Sequence, residues 1–174
     1  NIAKKNNCLL LEHRTDIGGR YSVFSNVGMV PAIIAGLNVK NIHEGVNKVL
    51  SKDDFNNSFK FAQMFKYSVS NNFSSNVLMT YSDGLNYFGK WYLQLWAESI
   101  GKQNRGVTAL HATGTTDQHS QLQLYLDGPK DKFFTFIKSN YRNKGLTIDS
   151  QLMETESVDY LVNKKMGDLM HAEQ

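Results

Sequence analysis

The period of apolar positions changes several times along the chain, and each change marks an element. Cys8-Leu9-Leu10-Leu11 is a short continuous apolar run, which predicts a buried strand. The Asp16–Ser22 loop carries paired glycines, Gly18 and Gly19, which let a backbone turn tightly or approach a ligand closely. Ser22 is the predicted cap of a helix over Val23–Leu37, with a kink or early break expected at Pro31. Helices over Val39–Leu50 and Asp54–Ser70 follow, separated by cap residues in the turn that starts at Ser51. Val77–Tyr81 reads as a strand, and Ser82-Asp83 opens the central helix. There Leu85, Phe88, Tyr92, Leu95 and Trp96 recur at helical spacing and mark a buried face. Gly101 is a C-cap just beyond Ile100. Gln94 and Glu98, four residues apart, stand one above the other on the same polar side.

The remaining pattern is a strand over Val107–His111, a turn and N-cap at Gly114–Asp117, and a short helix over Gln118–Leu126 stopped by Asp127-Gly128-Pro129. A strand over Phe133–Ile137, loop over Asn140–Glu156 and a helix over Val158–Gln174 complete it. Strands alternate with helices, which predicts an α/β fold, a three-layer sandwich with a mainly parallel sheet flanked by helices. In such sheets ligands sit beyond the carboxyl ends of the strands. The Gly18–Arg20 loop, the Glu98 helix and the Thr115–His119 turn are all expected at that rim. No internal repeat or low-complexity segment interrupts the pattern. Phe133, Phe134 and Phe136 share one strand, so burial in the sheet explains them more simply than an interaction surface.

Composition narrows the classes. The chain has 174 residues and is 41% apolar, enough for a globular core and the length of one domain. Its net charge of +3, from 19 basic and 16 acidic residues, is too even to argue for nucleic acid or an acidic membrane. No apolar run approaches the roughly 18 residues of a membrane span. The lone Cys8 permits no internal disulfide, reads as a small apolar filler and fits a reducing compartment. The chain begins without Met or a secretory h-region and ends inside a predicted helix. A piece of a longer chain, cut at both ends, is expected.

Three groups can carry chemistry. Arg20, beside two glycines, can hold a carboxylate, a phosphate or a developing oxyanion, or make a plain ion pair. Glu98 can accept a proton if it faces an enclosed cleft, or be a solvated glutamate near a helix end. Gln94 shares that second reading. His119 lies near a helix start, which disfavours a cationic ring and suits a neutral acid–base imidazole. It can equally bond a nearby backbone group. His111 reads as structural, at the end of a strand. No Cys/His/Asp set has metal-ligand spacing, so no metal site is expected. No dinucleotide or P-loop pattern occurs.

Three segments together resemble the glucose-6-phosphate isomerase family, sugar isomerases of the SIS (flavodoxin-like) fold. They are GGRYSVFSNVG at Gly18–Gly28, YFGKWYLQLWAESIGK at Tyr87–Lys102 and TTDQHSQLQLYLDGP at Thr115–Pro129. Their order and separation also fit, and the resemblance covers nearly the whole chain as a partial C-terminal SIS domain over 1–174. It implies interconversion of glucose 6-phosphate and fructose 6-phosphate through a cis-enediolate, in glycolysis and gluconeogenesis, in the cytoplasm. By the same resemblance Glu98 matches the catalytic base and His119 the ring-opening histidine, contributed across a homodimer interface. Arg20 matches the arginine that steadies the enediolate, Gly19 the glycine lining the sugar site, and Gln94 a substrate contact. No metal or organic cofactor is implied, and the partners are a sugar phosphate and a second copy.

The family's Ser/Thr-rich phosphate loop and its late lysine segment are not in this sequence, so the chain by itself is expected to be nearly inactive. Two alternatives stand beside this reading. One is a sugar-phosphate-binding SIS module without catalysis. The other is an SIS isomerase of a different sugar phosphate.

Overall fold

The computed structural model describes residues 2–152 and 156–174. The chain divides into two compact units, Asn1–Tyr67 and Ser68–Gln174.

The first unit opens with a short helix, α1 (Ile2–Lys5). The strand expected at Cys8–Leu11 does not form; the segment has no regular structure, and Leu9, Leu10 and Leu11 are all exposed. An apolar run becomes a strand only with a hydrogen-bonded neighbour, and none of the strand pairings among the described residues reaches this run. Gly19–Phe24 forms a 3-10 turn rather than the start of a helix. Ser22 is buried inside that turn, donating from Oγ to the Gly19 carbonyl at 2.7 Å. The capping role passes to Ser25, whose Oγ accepts from the Val27 N–H at the start of α2 (Asn26–Ile34).

Pro31 lies within α2 without ending it. It removes one backbone donor, whereas the actual stop is Gly36 at φ +78°. There Gly36 N–H bonds the Ile33 carbonyl and Leu37 N–H the Ala32 carbonyl, both at 2.9 Å, the double closure of a Schellman end. Asn38 then caps α3 (Val39–Val49) by accepting from Asn41 N–H, and α4 spans Lys52–Ser70.

The second unit holds the sheet. Strands β1 (Ser75–Thr80), β2 (Thr108–Thr113) and β3 (Lys132–Ile137) lie in the order β2-β1-β3, all parallel. β1 is central and buried from Asn76 onward. After a 3-10 turn at Asp83–Leu85, α5 (Asn86–Ile100) covers one face of the sheet. The other face presents Val77, Met79, Tyr81 and Ala112, covered by Tyr125 of α7 (Leu122–Asp127) and Met170 of α8 (Met166–Glu173). The expected three-layer α/β arrangement is therefore present, with three strands among the described residues. Phe134 meets Tyr125 edge-on at 4.9 Å, so burial accounts for it, whereas Phe136 is half exposed.

Two expected helices are divided. The one read over Gln118–Leu126 is α6 (Thr116–Ser120) followed by α7, separated at Gln121. The one read over Val158–Gln174 is a 3-10 turn, Glu156–Leu161, and then α8. Between them the chain pairs with an earlier segment: Ile148 N–H bonds the Lys164 carbonyl and Asn163 N–H the Ile148 carbonyl, both at 2.9 Å. Those long-range bonds satisfy the backbone in place of helical ones. Gly167 then passes so close to the Tyr141 carbonyl that a Cβ would lie 2.1 Å from it. The segment expected as loop over 140–156 is irregular up to Asp149 and then forms a 3-10 turn at Ser150–Leu152, with 153–155 outside the described residues.

Candidate active site

Helix α5 runs antiparallel to the strands, and hydrogen bonds at each end show its direction. Near its start, Asn86 Oδ1 accepts from Thr113 Oγ1 at 3.2 Å, at the carboxyl end of β2. Near its end, Trp96 Nε1 donates to the Val107 carbonyl at 3.0 Å, just before β2 begins. Gln94 and Glu98 therefore lie toward the amino ends of the strands. They are exposed and joined by a Gln94 Nε2 to Glu98 Oε1 hydrogen bond of 3.0 Å. The pair predicted from i, i+4 spacing is formed. The enclosure expected around Glu98 is not supplied by the described residues.

His119 is elsewhere. It is exposed on α6, which follows β2 at the carboxyl end of the sheet, beside the start of α5. Glu98 stands about 18 Å further along the α5 axis from Asn86, at 1.5 Å per residue. The expectation that the Glu98 helix end and the Thr115–His119 turn share one rim is thus corrected: a βαβ crossover carries the end of its helix to the opposite edge. The dipole argument for His119 also falls, because α6 has only five residues. What holds its turn is Asp117, whose Oδ2 accepts from Thr113 N–H at 2.6 Å and whose Oδ1 accepts from Ser120 Oγ at 3.1 Å.

Gly19 and Arg20 belong to the first unit, at the start of its 3-10 turn. A Cβ on Gly19 would meet nothing within 4 Å, so this backbone is open to a ligand. The Arg20 guanidinium lies over the Tyr21 ring, 4.6 Å from its centroid.

Other polar residues are buried beneath α5. Thr80 Oγ1 and His111 Nε2 share a hydrogen bond of 2.9 Å, and Asn76 Nδ2 donates to Tyr92 Oη at 2.6 Å. Neither Asn76 nor Thr80 is singled out by the periodicity of the chain. The available signals were polar residues next to the apolar run of β1 and a glycine, Gly89, inside a helical pattern. Gly89 makes room for the His111 ring, which a Cβ would approach to 2.5 Å.

Burial pushes the His111 imidazole below the ordinary histidine value, with Asp117 pulling the other way. A histidine with a depressed folded pKa contributes stability above its unfolded value. That stability is lost as pH falls from there through the folded value. The second unit is therefore expected to weaken as pH falls below the ordinary histidine value of about 6.5. Urea midpoints across that range should fall for the native chain and fall less for His111→Asn. Parallel curves would assign the acid sensitivity to other groups.

Among the described residues no group of three or more His, Cys, Asp or Glu side chains is placed to hold a metal ion. No described helix is long and apolar enough to cross a membrane.

No family model matches the chain. Individual proteins do. A glucose-6-phosphate isomerase of Rubrobacter xylanophilus is 34% identical over 177 residues, 99% of this chain and 41% of that protein. A probable glucose-6-phosphate isomerase of Methanococcus maripaludis is 42% identical over 148 residues, 82% of this chain and 34% of that protein. The fold matches the crystal structure of a hypothetical protein from Thermus thermophilus with a TM-score of 0.88 and 28% identity, over 99% of this chain and 43% of that one. The chain thus spans about two fifths of the length of the first of these relatives. From end to end, through all three motif segments, the chain is thus similar to proteins named glucose-6-phosphate isomerase.

Proposed function

We propose that this chain supplies the proton-transfer side of an aldose–ketose isomerase acting on glucose 6-phosphate and fructose 6-phosphate. The observation that carries the reading is the Gln94–Glu98 pair, hydrogen-bonded on the exposed side of a helix whose other side is pinned to the sheet. Glu98 removes the C2 proton of the open-chain aldose. The C2–H electron pair becomes the C1=C2 bond of an enediolate as the C1=O π pair moves onto O1; the C2 hydroxyl proton passes to O1, the C2=O bond forms, and the C1=C2 pair takes the proton back from Glu98 at C1 to leave the ketone at C2. Arg20 offsets the enediolate charge, Gly19 lets the sugar approach the backbone, and Gln94 holds both substrate and base. His119 assists ring opening.

Glu98 and His119 stand at opposite edges of the second unit, so a single sugar meets both only if a second copy contributes one of them. A homodimer with shared sites accounts for this. The chain then forms the greater part of one SIS domain, works in the cytoplasm, and turns over poorly without the phosphate loop that its sequence lacks.

The test is a chimera in which this chain replaces the matching stretch of the Rubrobacter xylanophilus relative. The chimera should convert glucose 6-phosphate to fructose 6-phosphate; a folded chimera with no such activity overturns the proposal. Glu98→Gln and His119→Ala subunits, each nearly inactive, should recover about a quarter of the native rate when dissociated and remixed. Half of randomly formed two-fold dimers are mixed, and each holds one intact site of two. No recovery on mixing sinks the shared site.

A further inference from the structure

We infer that Asn76 is a positioning residue for proton transfer, setting the rotation of α5 and hence the aim of Glu98. This rests on Glu98 being the base. Asn76 is fully buried on the central strand of a parallel sheet, where an apolar side chain is the rule. Burying an amide is costly unless it is hydrogen-bonded, and this one ties three elements together. Its Nδ2 donates to Tyr92 Oη of α5 at 2.6 Å, and its Oδ1 accepts from Thr135 Oγ1 of β3 at 3.4 Å.

The two faces of β1 differ in the same sense. Toward α7 and α8 it presents Val77, Met79 and Tyr81, a packed apolar surface. Toward α5 it presents Asn76 and Thr80, both bonded, on either side of Leu78. Apolar packing has no preferred direction, so a helix held by it alone can roll; hydrogen bonds are directional.

The contacts fall on one stripe of α5. Gly89 seats on the His111 ring, Tyr92 bonds Asn76, and Trp96 Nε1 bonds the Val107 carbonyl. Gln94 and Glu98 each follow a pinned residue by two positions, about 200° around the helix, so they point away from the sheet. A roll of about 20° would displace a side chain at the 5–6 Å outer radius by about 2 Å. Misplacement of 1 Å can cost about 100-fold in rate.

The experiment compares the chimera with its Asn76→Leu/Tyr92→Phe form, which removes the β1–α5 hydrogen bond from both sides; Thr135 Oγ1 loses its acceptor but is only partly buried and can bond water. Glucose 6-phosphate deuterated at C2 is the substrate, and the readout is the fraction of deuterium that reappears at C1 rather than exchanging with solvent. A loss of folded enzyme lowers the rate but not this fraction. A rolled helix delivers the deuteron late, so the fraction is expected to fall at least twofold, with kcat falling about 100-fold. If the double variant does not fold, Tyr92→Phe alone, which keeps the ring, is read in the same way. An unchanged fraction overturns the inference. A Glu98→Gln chimera run alongside separates the two claims: if it retains full activity, the assignment of the base fails first.

Discussion

Glu98→Gln in the chimera is expected to lower kcat by about 10²–10⁴-fold while KM stays within a few-fold, because the amide keeps the size of the side chain and cannot take a proton. The site favours this substitution as a test. Glu98 accepts from Gln94 Nε2 at 3.0 Å, and a glutamine there can still accept that bond through its own amide oxygen. It lies on the exposed side of α5, away from Gly89 and Trp96, which are buried. Stability should therefore change by less than about 0.5 kcal/mol, as for surface substitutions generally. Thermal unfolding beside steady-state kinetics checks both halves. An unchanged kcat would remove Glu98 from the chemistry. A raised KM with native kcat would make it a substrate-binding group rather than the base.

Leu78→Ala is expected to be the most damaging stability change, at about 2–5 kcal/mol. Leu78 is 1% exposed, midway along the central strand, paired in register with His111 on one side and Thr135 on the other. Truncation leaves a cavity beneath α5 whose walls are fixed by the Asn76–Tyr92 and Thr80–His111 bonds, so it cannot collapse cheaply. For a protein of this size the melting temperature should fall by roughly 2–4 °C per kcal/mol. The control is Leu9→Ala, at a residue 85% exposed, which should move it hardly at all. Equal effects at the two positions would contradict the placement of the core.

Much of this was legible before any coordinates. The apolar spacing of Leu85, Phe88, Tyr92, Leu95 and Trp96 yields α5 close to its observed ends, and Val77–Tyr81 and Phe133–Ile137 overlap β1 and β3. The Gln94–Glu98 contact follows from helical geometry alone. The misreadings share a cause. Cys8–Leu11 has the composition of a strand and lacks a strand beside it. Ser22 has the chemistry of a cap, but its hydroxyl is used inside a 3-10 turn. The segment before α8 has helical spacing, yet its backbone pairs with Ile148. In each case the partners available to the segment, three residues back for Ser22 and distant in sequence for the other two, decide against the preference of residue type.

By itself the sequence determined the α/β layering, the helix that carries Glu98 and the residue types available for acid–base work, because periodicity and side-chain chemistry act over a few neighbouring residues. Only the tertiary structure decided that Glu98 and His119 lie at opposite edges of the sheet, and that Asn76, Thr80 and His111 fasten the underside of α5. The direction of a crossover helix and the partner of a buried amide depend on residues brought together from distant parts of the chain, and no local pattern encodes which of them will meet.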